Sequence, residues 1–430
     1  MSDQPPTSHR LSRRAALKAG GLGAGAAVLG TMLPTFDPRV AGALSAPIGG
    51  GRIAFLGTNQ AGITTPAQQH LSMAVIDLAV GSVSDLRQLL RDMTRAAAAM
   101  TQGQAIGGLD PSQGVADSGE VLDETPANLT ITVGFGPSLF DGRFGLRSAR
   151  PAPLADLPRF SKDQLDPNRT GGDLFVQACA DSAQVADHAI RNLMIVARSR
   201  ARLRWVQRGF LDVKGAPGAA GTTPRNLQGF RDGTANLDVT DAARMRRNVW
   251  ADTAESPAWM ANGTYAVIRR VRNLIEVWDA ASLEEQENTI GRRKQSGAPF
   301  GGSRETDPVV SGNLPIHSHV RLANPRTGQA SEDERILRRG FNYADGLARV
   351  TGPIPDEQGR PQTGLIDAGL MFIAFQRDPR RQFVPMQTRL DADDALNEYI
   401  VHNGSGVFAM VPGVTDGNDY WGRTLLDSRR

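Results

Sequence analysis

The chain has 430 residues, 40% hydrophobic and 22% charged, an ordinary globular composition on a length that suits two domains. Its net charge of +3 comes from the first 46 residues, which hold Arg10, Arg13, Arg14, Lys18 and Arg39 against Asp3 and Asp37 and leave the remainder formally neutral. That balance excludes an electrostatic case for nucleic-acid binding. No uninterrupted apolar run reaches the roughly 18–20 residues that span a bilayer, and Cys179, the only cysteine, excludes an internal disulfide or a thiolate metal site.

The chain opens on Ser12-Arg13-Arg14-Ala15-Ala16-Leu17-Lys18, which resembles a twin-arginine export signal with Ala16 where a Phe is usual. A 15-residue apolar stretch, Ala19–Leu33, follows and carries five glycines. It is too short and too weakly hydrophobic for a membrane helix. Ala41-Gly42-Ala43 then offers a small-x-small cleavage site. Residues 1–46 are therefore expected to be a signal peptide. The mature protein would be exported to the periplasm or beyond the cell, with the twin-arginine machinery as a partner.

Leu71–Ala79 reads as a strand, followed by a helix with an N-cap at Ser84-Asp85 and an apolar pattern through Leu90. Residues 101–128 form a long loop rich in Gly, Pro, Ser and Asp. Gly172–Ala180 is β-rich and contains Cys179 as a buried, inert thiol; the helix Ser182–Leu193 follows. Gly215–Pro224 reads as a linker. Beyond it the pattern repeats: a strand at Thr264–Arg272, a capping box opening a helix at Ser282, a loop at 296–315, a strand at Gly369–Gln376 and a helix beginning at Ala395. The expected fold class is α+β, with one domain over 47–225 and a second over 226–430.

Six histidines can be weighed one by one. His9 lies in the signal, His70 precedes a strand, His188 belongs to a helix core, and His402 in Val-His-Asn-Gly suggests a turn. His317 and His319 form His-Ser-His. In a strand, residues two apart share a face, so this pair could ligate a metal or be merely structural. Two other groups stand out. In Gly229-Phe-Arg-Asp232-Gly233-Thr-Ala-Asn236 two glycines bracket an Arg-Asp pair, and Gly lets a backbone approach a flat ligand closely. In Arg335-Ile-Leu-Arg338-Arg339-Gly340-Phe-Asn-Tyr343 an Arg pair precedes a glycine.

Taken in order, Gly229–Asn236, Pro315-Ile-His-Ser-His-Val-Arg-Leu-Ala-Asn-Pro-Arg326 and Ile336–Tyr343 resemble the dye-decolourising peroxidase family. Asn59–Ile63, Gly172–Asp181, Ser296–Gly301 and Asn403–Ala409 look like further family segments. The likeness runs from about residue 50 to the C-terminus. It implies two ferredoxin-like halves with antiparallel sheets and peripheral helices, and one haem b per chain, mainly in the second half. His319, directly before Val-Arg, matches the axial iron ligand, so it is preferred to His317. Asp232 matches the acid on the peroxide side, and Arg338 the arginine beside it. Gly233, Thr234, Ala235, Asn324, Pro325 and Arg326 match stretches that line the haem.

The expected activity is peroxide-driven, one-electron oxidation of dyes, phenols or similar small donors. The partners are hydrogen peroxide and a reducing small molecule, with no nucleic acid, and a homo-oligomer stays open. Bulky donors suggest relays through surface aromatics, with the five tryptophans and four tyrosines as candidates, while core packing is the expected role for most of them. Two alternatives stand beside this reading. One is a deferrochelatase-like haem-handling role in iron uptake, which the exported branch of the family includes. The other is a haem-free interaction module.

Overall fold

In the computed structural model, which describes residues 51–108, 115–212, 223–348, 354–355, 361–362 and 365–427, the two sequence repeats become two copies of one topology. In the first half β1 (His70–Leu78), β2 (Thr130–Phe135), β3 (Leu174–Ala180) and β4 (Ala201–Phe210) stand in the order β2-β3-β1-β4. Helix α1 (Val83–Thr101) joins β1 to β2, and α2 (Ala183–Val196) joins β3 to β4. This βαββαβ arrangement is a ferredoxin-like unit. Both helices start at serine caps. Ser182 Oγ accepts from Val185 N–H at 3.4 Å. The cap of α1 is Ser82 rather than Ser84: its Oγ accepts from Asp85 N–H at 3.1 Å and donates to the Asp85 carboxylate at 2.7 Å.

The second half repeats the order as β11-β5-β10-β7. Helix α3 (Ala242–Asn248) precedes β5 (Thr264–Asn273), and short helices α4 (Ile275–Ala280), α5 (Leu283–Ile290), α6 (His319–Ala323) and α7 (Gly328–Asp333) follow it. Next come β6 (Leu337–Arg338), β7 (Phe341–Leu347), the small hairpin β8 (Ile354–Pro355) with β9 (Pro361–Gln362), and β10 (Ile366–Gln376). Helix α8 (Phe383–Asp393), β11 (Ile400–Met410) and α9 (Arg423–Asp427) complete the chain.

Three expectations are corrected here. The helix after β10 is α8, and Ala395–Glu398 is only a 3₁₀ turn; Pro385 sits in the first turn of α8, where its missing N–H costs nothing. His402 is in β11 rather than a turn, because the Asn403-Gly404 pair makes a bulge in the β11–β5 ladder. His319 opens a helix, so the strand argument for a shared face with His317 does not hold. The proposed linker lies outside the described residues as far as residue 222.

The halves share one sheet. β11 pairs with β2 through Ala409↔Phe135 and Met410↔Gly134, β4 pairs with β7 through Phe210↔Asn342, and β10 pairs back to β5, so the sheet closes on itself. Alternation along each strand divides the apolar residues between two cores. Leu71, Met73, Val75, Phe175, Cys179, Met371, Ile373 and Phe375 pack inside the closed sheet. Ala74, Ile76, Leu174, Val176 and Ala178 face outward and are covered by Leu86, Leu89, Leu90, Val185 and Ile190 from α1 and α2. In the second half the corresponding outward face is not covered in the same way, and this is where the site lies.

Candidate active site

Leu370 and Phe372 of β10, Val271 of β5 and Ile400 of β11 form the floor of a cavity of about 420 Å³ on that outward face. The volume is in the range of a cofactor or small-ligand pocket. Val320 of α6 and Phe383, Met386 and Leu390 of α8 add apolar walls, and the segment from Asn226 to Ala235 closes another side.

His319 enters as the first residue of α6. Its Nδ1 lies 2.7 Å from Asp394 Oδ2, and the Asp394 side chain is 2% exposed. The carboxylate accepts the Nδ1–H, which leaves Nε2 as the free lone pair. Burial pulls the His319 pKa down, but the Asp394 charge and hydrogen bond outweigh it, and the net shift is upward. Asp394 is itself fixed, because its Oδ1 accepts from Leu396 N–H at 2.9 Å. Gly291, at φ 89°, ends α5 in the left-handed region, and a Cβ there would come within 2.9 Å of Ser318 Oγ. A glycine is thus needed for the chain to pass so close to the start of α6. His317 goes elsewhere: its Nδ1 lies 2.9 Å from Asp393 on a half-exposed surface, away from the cavity lining.

Asp232 and Arg338 also reach the cavity and meet there, with Arg338 Nη1 2.5 Å from Asp232 Oδ1. One motif builds both positions. Asn236 Nδ2 donates to the Arg338 carbonyl at 2.7 Å, and Asn236 Oδ1 accepts from Arg338 N–H at 2.9 Å, so Asn236 clamps the strand that carries the arginine. Asp232 N–H donates to the Pro224 carbonyl at 2.9 Å, and Gly233 follows at φ 122°, a conformation that favours glycine. Arg339, next in sequence, leaves in the opposite direction along the strand. It is buried and donates to the Thr65 carbonyl and to Gln68 Oε1 in the first half.

One side of the cavity is cationic. Arg231, Arg292, Arg326 and Arg335 all line it. Burial lowers the Arg326 pKa to about 10, and the charges of Arg292 and Arg335 push the same way. Burial also lowers that of Arg292, with Glu305 opposing and Arg338 assisting. Gln228, 5% exposed, points a buried Nε2 that has no hydrogen-bond partner. Crowded cations and an unmatched buried donor are the imprint of a carboxylate-bearing ligand. The 296–315 loop contributes Glu305, whose carboxylate accepts from Thr234 Oγ1 at 2.7 Å and lies 3.5 Å from Arg231 Nε.

Of the residues expected from sequence, Asp232, Gly233, Thr234, Ala235, His319, Asn324, Arg326 and Arg338 all line this cavity. Pro325 does not; its carbonyl accepts from Ser311 Oγ at 3.0 Å. Sequence reasoning missed Asp394, Gln228, Arg292, Arg269 and His402. No spacing marked them, although Asp393-Asp394 directly before an apolar turn was visible. Most of the aromatics fill cores, the role expected for them. Trp205, Trp259, Trp278, Trp421 and all four tyrosines are buried, and Trp250 is half-buried.

The chain belongs to the dye-decolourising peroxidases. The family models described as Dyp-type peroxidase, N-terminal, and Dyp-type peroxidase, C-terminal, match residues 60–211 and 223–415. Deferrochelatase from Shigella flexneri serotype 5b is 38% identical over 382 residues, covering 86% of this chain and 87% of the relative. Ferric DtpA from Streptomyces lividans is 38% identical with a TM-score of 0.76, covering 89% of this chain and all of DtpA. The DyP-type peroxidase from Cellulomonas bogoriensis is 37% identical with a TM-score of 0.75, again over 89% of this chain and all of that one.

The protein is accordingly a haem peroxidase, and the cavity fits its cofactor. An imidazole with a free Nε2 suits an iron ligand. The apolar floor suits a macrocycle, and the arginine side with the unpaired Gln228 Nε2 suits its two carboxylates.

Proposed function

We propose that this protein reduces hydrogen peroxide at a haem held by His319, with Asp232 and Arg338 acting on the peroxide, and that it oxidises dyes, phenols or similar small donors. The observation that carries this reading is the convergence of the His319–Asp394 pair and the Asp232–Arg338 pair on one cavity. Bound haem supplies the redox-active iron that accepts and passes on electrons. The chain's own residues supply the proton handling. Asp394 holds the His319 ring in one tautomer and increases its basicity as a ligand. Asp232 takes the proton from one peroxide oxygen and returns it to the other as that oxygen leaves as water. Arg338, always protonated, holds the negative charge that develops on the leaving oxygen. Asn236 keeps Arg338 in register for that contact. Purified protein loaded with haem should bleach an anthraquinone dye only when peroxide is added. Failure to consume peroxide would remove this reading.

A second reading is favoured by the 38% identity to proteins named deferrochelatase: release of iron from haem in iron uptake. It uses the same cavity and the same His319. Protoporphyrin fluorescence appearing on incubation with haem, without peroxide, would support it.

Export is part of the proposal. Arg13-Arg14, the weak apolar stretch Ala19–Leu33 and Ala41-Gly-Ala43 occur in the order of a twin-arginine signal. A route that carries folded proteins suits one that acquires its cofactor in the cytoplasm. The exported form should begin between Ala43 and Pro47 by N-terminal sequencing, and Arg13→Lys with Arg14→Lys should retain it inside the cell.

A further inference from the structure

We propose that the first half takes part in the reaction by positioning Arg338, through a buried anchor that Arg339 makes with Gln68. Among the described residues, every one that lines the haem cavity belongs to the second half, and the peroxide chemistry described above gives the first half no role. Arg338 stands in β6, which has two residues and two pairings, Leu337↔Phe375 and Arg338↔Ala374. So short a strand has few backbone bonds to resist rotation about its own axis, and a rotation would swing the Arg338 guanidinium away from Asp232. Asn236 holds the Arg338 backbone. The next residue holds the strand from the other direction.

Arg339 is 6% exposed. Its backbone N–H donates to the Ile373 carbonyl at 2.8 Å. Its guanidinium crosses to the first half, where one terminal nitrogen donates to the Thr65 carbonyl and the other to Gln68 Oε1. A guanidinium that reaches two acceptors at once is fixed in direction as well as in place. The acceptors are themselves fixed. Gln68, 3% exposed, donates from Nε2 to the Asn128 carbonyl at 2.8 Å and to Thr130 Oγ1 at 3.1 Å, which aims its Oε1 at Arg339. Thr65 Oγ1 accepts from Gly62 N–H at 3.0 Å. Gly62 lies at φ 92°, and a Cβ there would come within 2.2 Å of Thr132 Oγ1, so only glycine lets the segment lie this close to β2. Gln177 of β3 donates from Nε2 to the Gly62 carbonyl at 3.1 Å. Residues 62–68 are thus fastened to β2 and β3, and Arg339 ties them to the residue beside Arg338. Without the Gln68 acceptor a buried, charged donor is left unmatched. Arg339 then turns toward another acceptor, and β6 turns with it. Neither Arg339 nor Gln68 lines the haem cavity, so both are positioning residues.

This inference rests on the reading of Arg338 as the group that acts on peroxide. Haem-loaded protein is titrated with fluoride, which on ferric iron accepts a hydrogen bond from a nearby guanidinium, and its reaction with peroxide is followed by stopped flow. Gln68→Met keeps the size and removes the acceptor. It should retain the wild-type haem content, bind fluoride about tenfold more weakly and react with peroxide about tenfold more slowly. Arg339→Lys, which keeps the charge but cannot span both acceptors, should behave in the same way. In an Arg338→Leu background Gln68→Met should cause no further loss, because the anchor acts only through that arginine. Wild-type fluoride affinity in either variant that retains haem, loss of haem from both, or an equal further loss in the Arg338→Leu background would each overturn the proposal. Failure of the peroxide reading shows separately, as wild-type fluoride affinity and rate in Arg338→Leu itself.

Discussion

The two halves have the same strand order and opposite uses of one surface. In the first half, the outward face of β1 and β3 is covered by two helices of 19 and 14 residues. Leu86, Leu89, Leu90, Val185 and Leu193 reach it, and the contact is dry. In the second half the connection from β5 to β7 is broken into short helices, the one from β10 to β11 keeps a single helix of 11 residues, and the outward face of β5, β10 and β11 borders a cavity of about 420 Å³. A long amphipathic helix covers a sheet completely. Several short helices leave space between them and place their ends, with capping groups and single polar side chains, toward that space. A ferredoxin-like unit thus opens a cofactor site when the helical connection after its first strand is broken into short pieces, with no change in strand order.

The largest test of this contrast is chemical. Arg338→Leu should slow the reaction with peroxide by about two to three decades, read by stopped-flow absorbance, while haem content stays at the wild-type level. Asp232→Asn should cause a smaller loss. Equal rates in all three proteins would mean that peroxide is handled elsewhere.

Next in size is the support of the ligand. Asp394→Asn keeps the shape and removes the charge that holds His319. Haem affinity should fall by about 10- to 100-fold, measured by transfer of haem to apomyoglobin.

The packing contrast is sharpened by two matched truncations in haem-free protein. Leu89 is fully buried under α1, and Leu89→Ala should cost about 2–5 kcal/mol in denaturant unfolding. Leu370 already borders the cavity and is half-buried, so Leu370→Ala should cost only about 1 kcal/mol or less. Similar losses at both sites would contradict the contrast between a dry core and an open pocket.

The smallest effect concerns His402 in the cavity wall. Burial pushes its pKa down to about 3, with the Arg269 and His319 charges acting in the same direction and Asp391 against. The unfolded chain, with an ordinary histidine pKa near 6.5, therefore binds more protons than the folded one between about pH 6.5 and pH 3. Stability is lost as pH falls through that window. His402→Gln should lose less stability than the wild type between pH 6 and pH 4, by less than about 1.4 kcal/mol per pH unit. Parallel curves would mean that His402 is solvated.

The sequence revealed much of this, unevenly. Four strands, β1, β3, β5 and β10, were legible from their apolar residues, and β3 is buried along its whole length, whereas β2, β4, β7 and β11 were not read as strands. Asp232 and Arg338 were picked because their ordered motifs resemble the family's; both line the cavity, whereas Arg339 turns to the first half. What could not be read comes from contacts distant in sequence. Asp394 reaches His319 across 75 positions, and Gln228 matters through a missing partner, which no motif records. The α8 boundary was hidden by Pro385, which in a sequence looks like a break but is tolerated in a first turn.

The most direct test of the account is the haem content of two single variants purified side by side. His319→Ala should show almost no Soret absorbance relative to protein, whereas His317→Ala, whose ring pairs with Asp393 outside the cavity, should match the wild type. Loss of haem from His317→Ala with retention in His319→Ala would contradict the assignment of the cavity and of the iron ligand together.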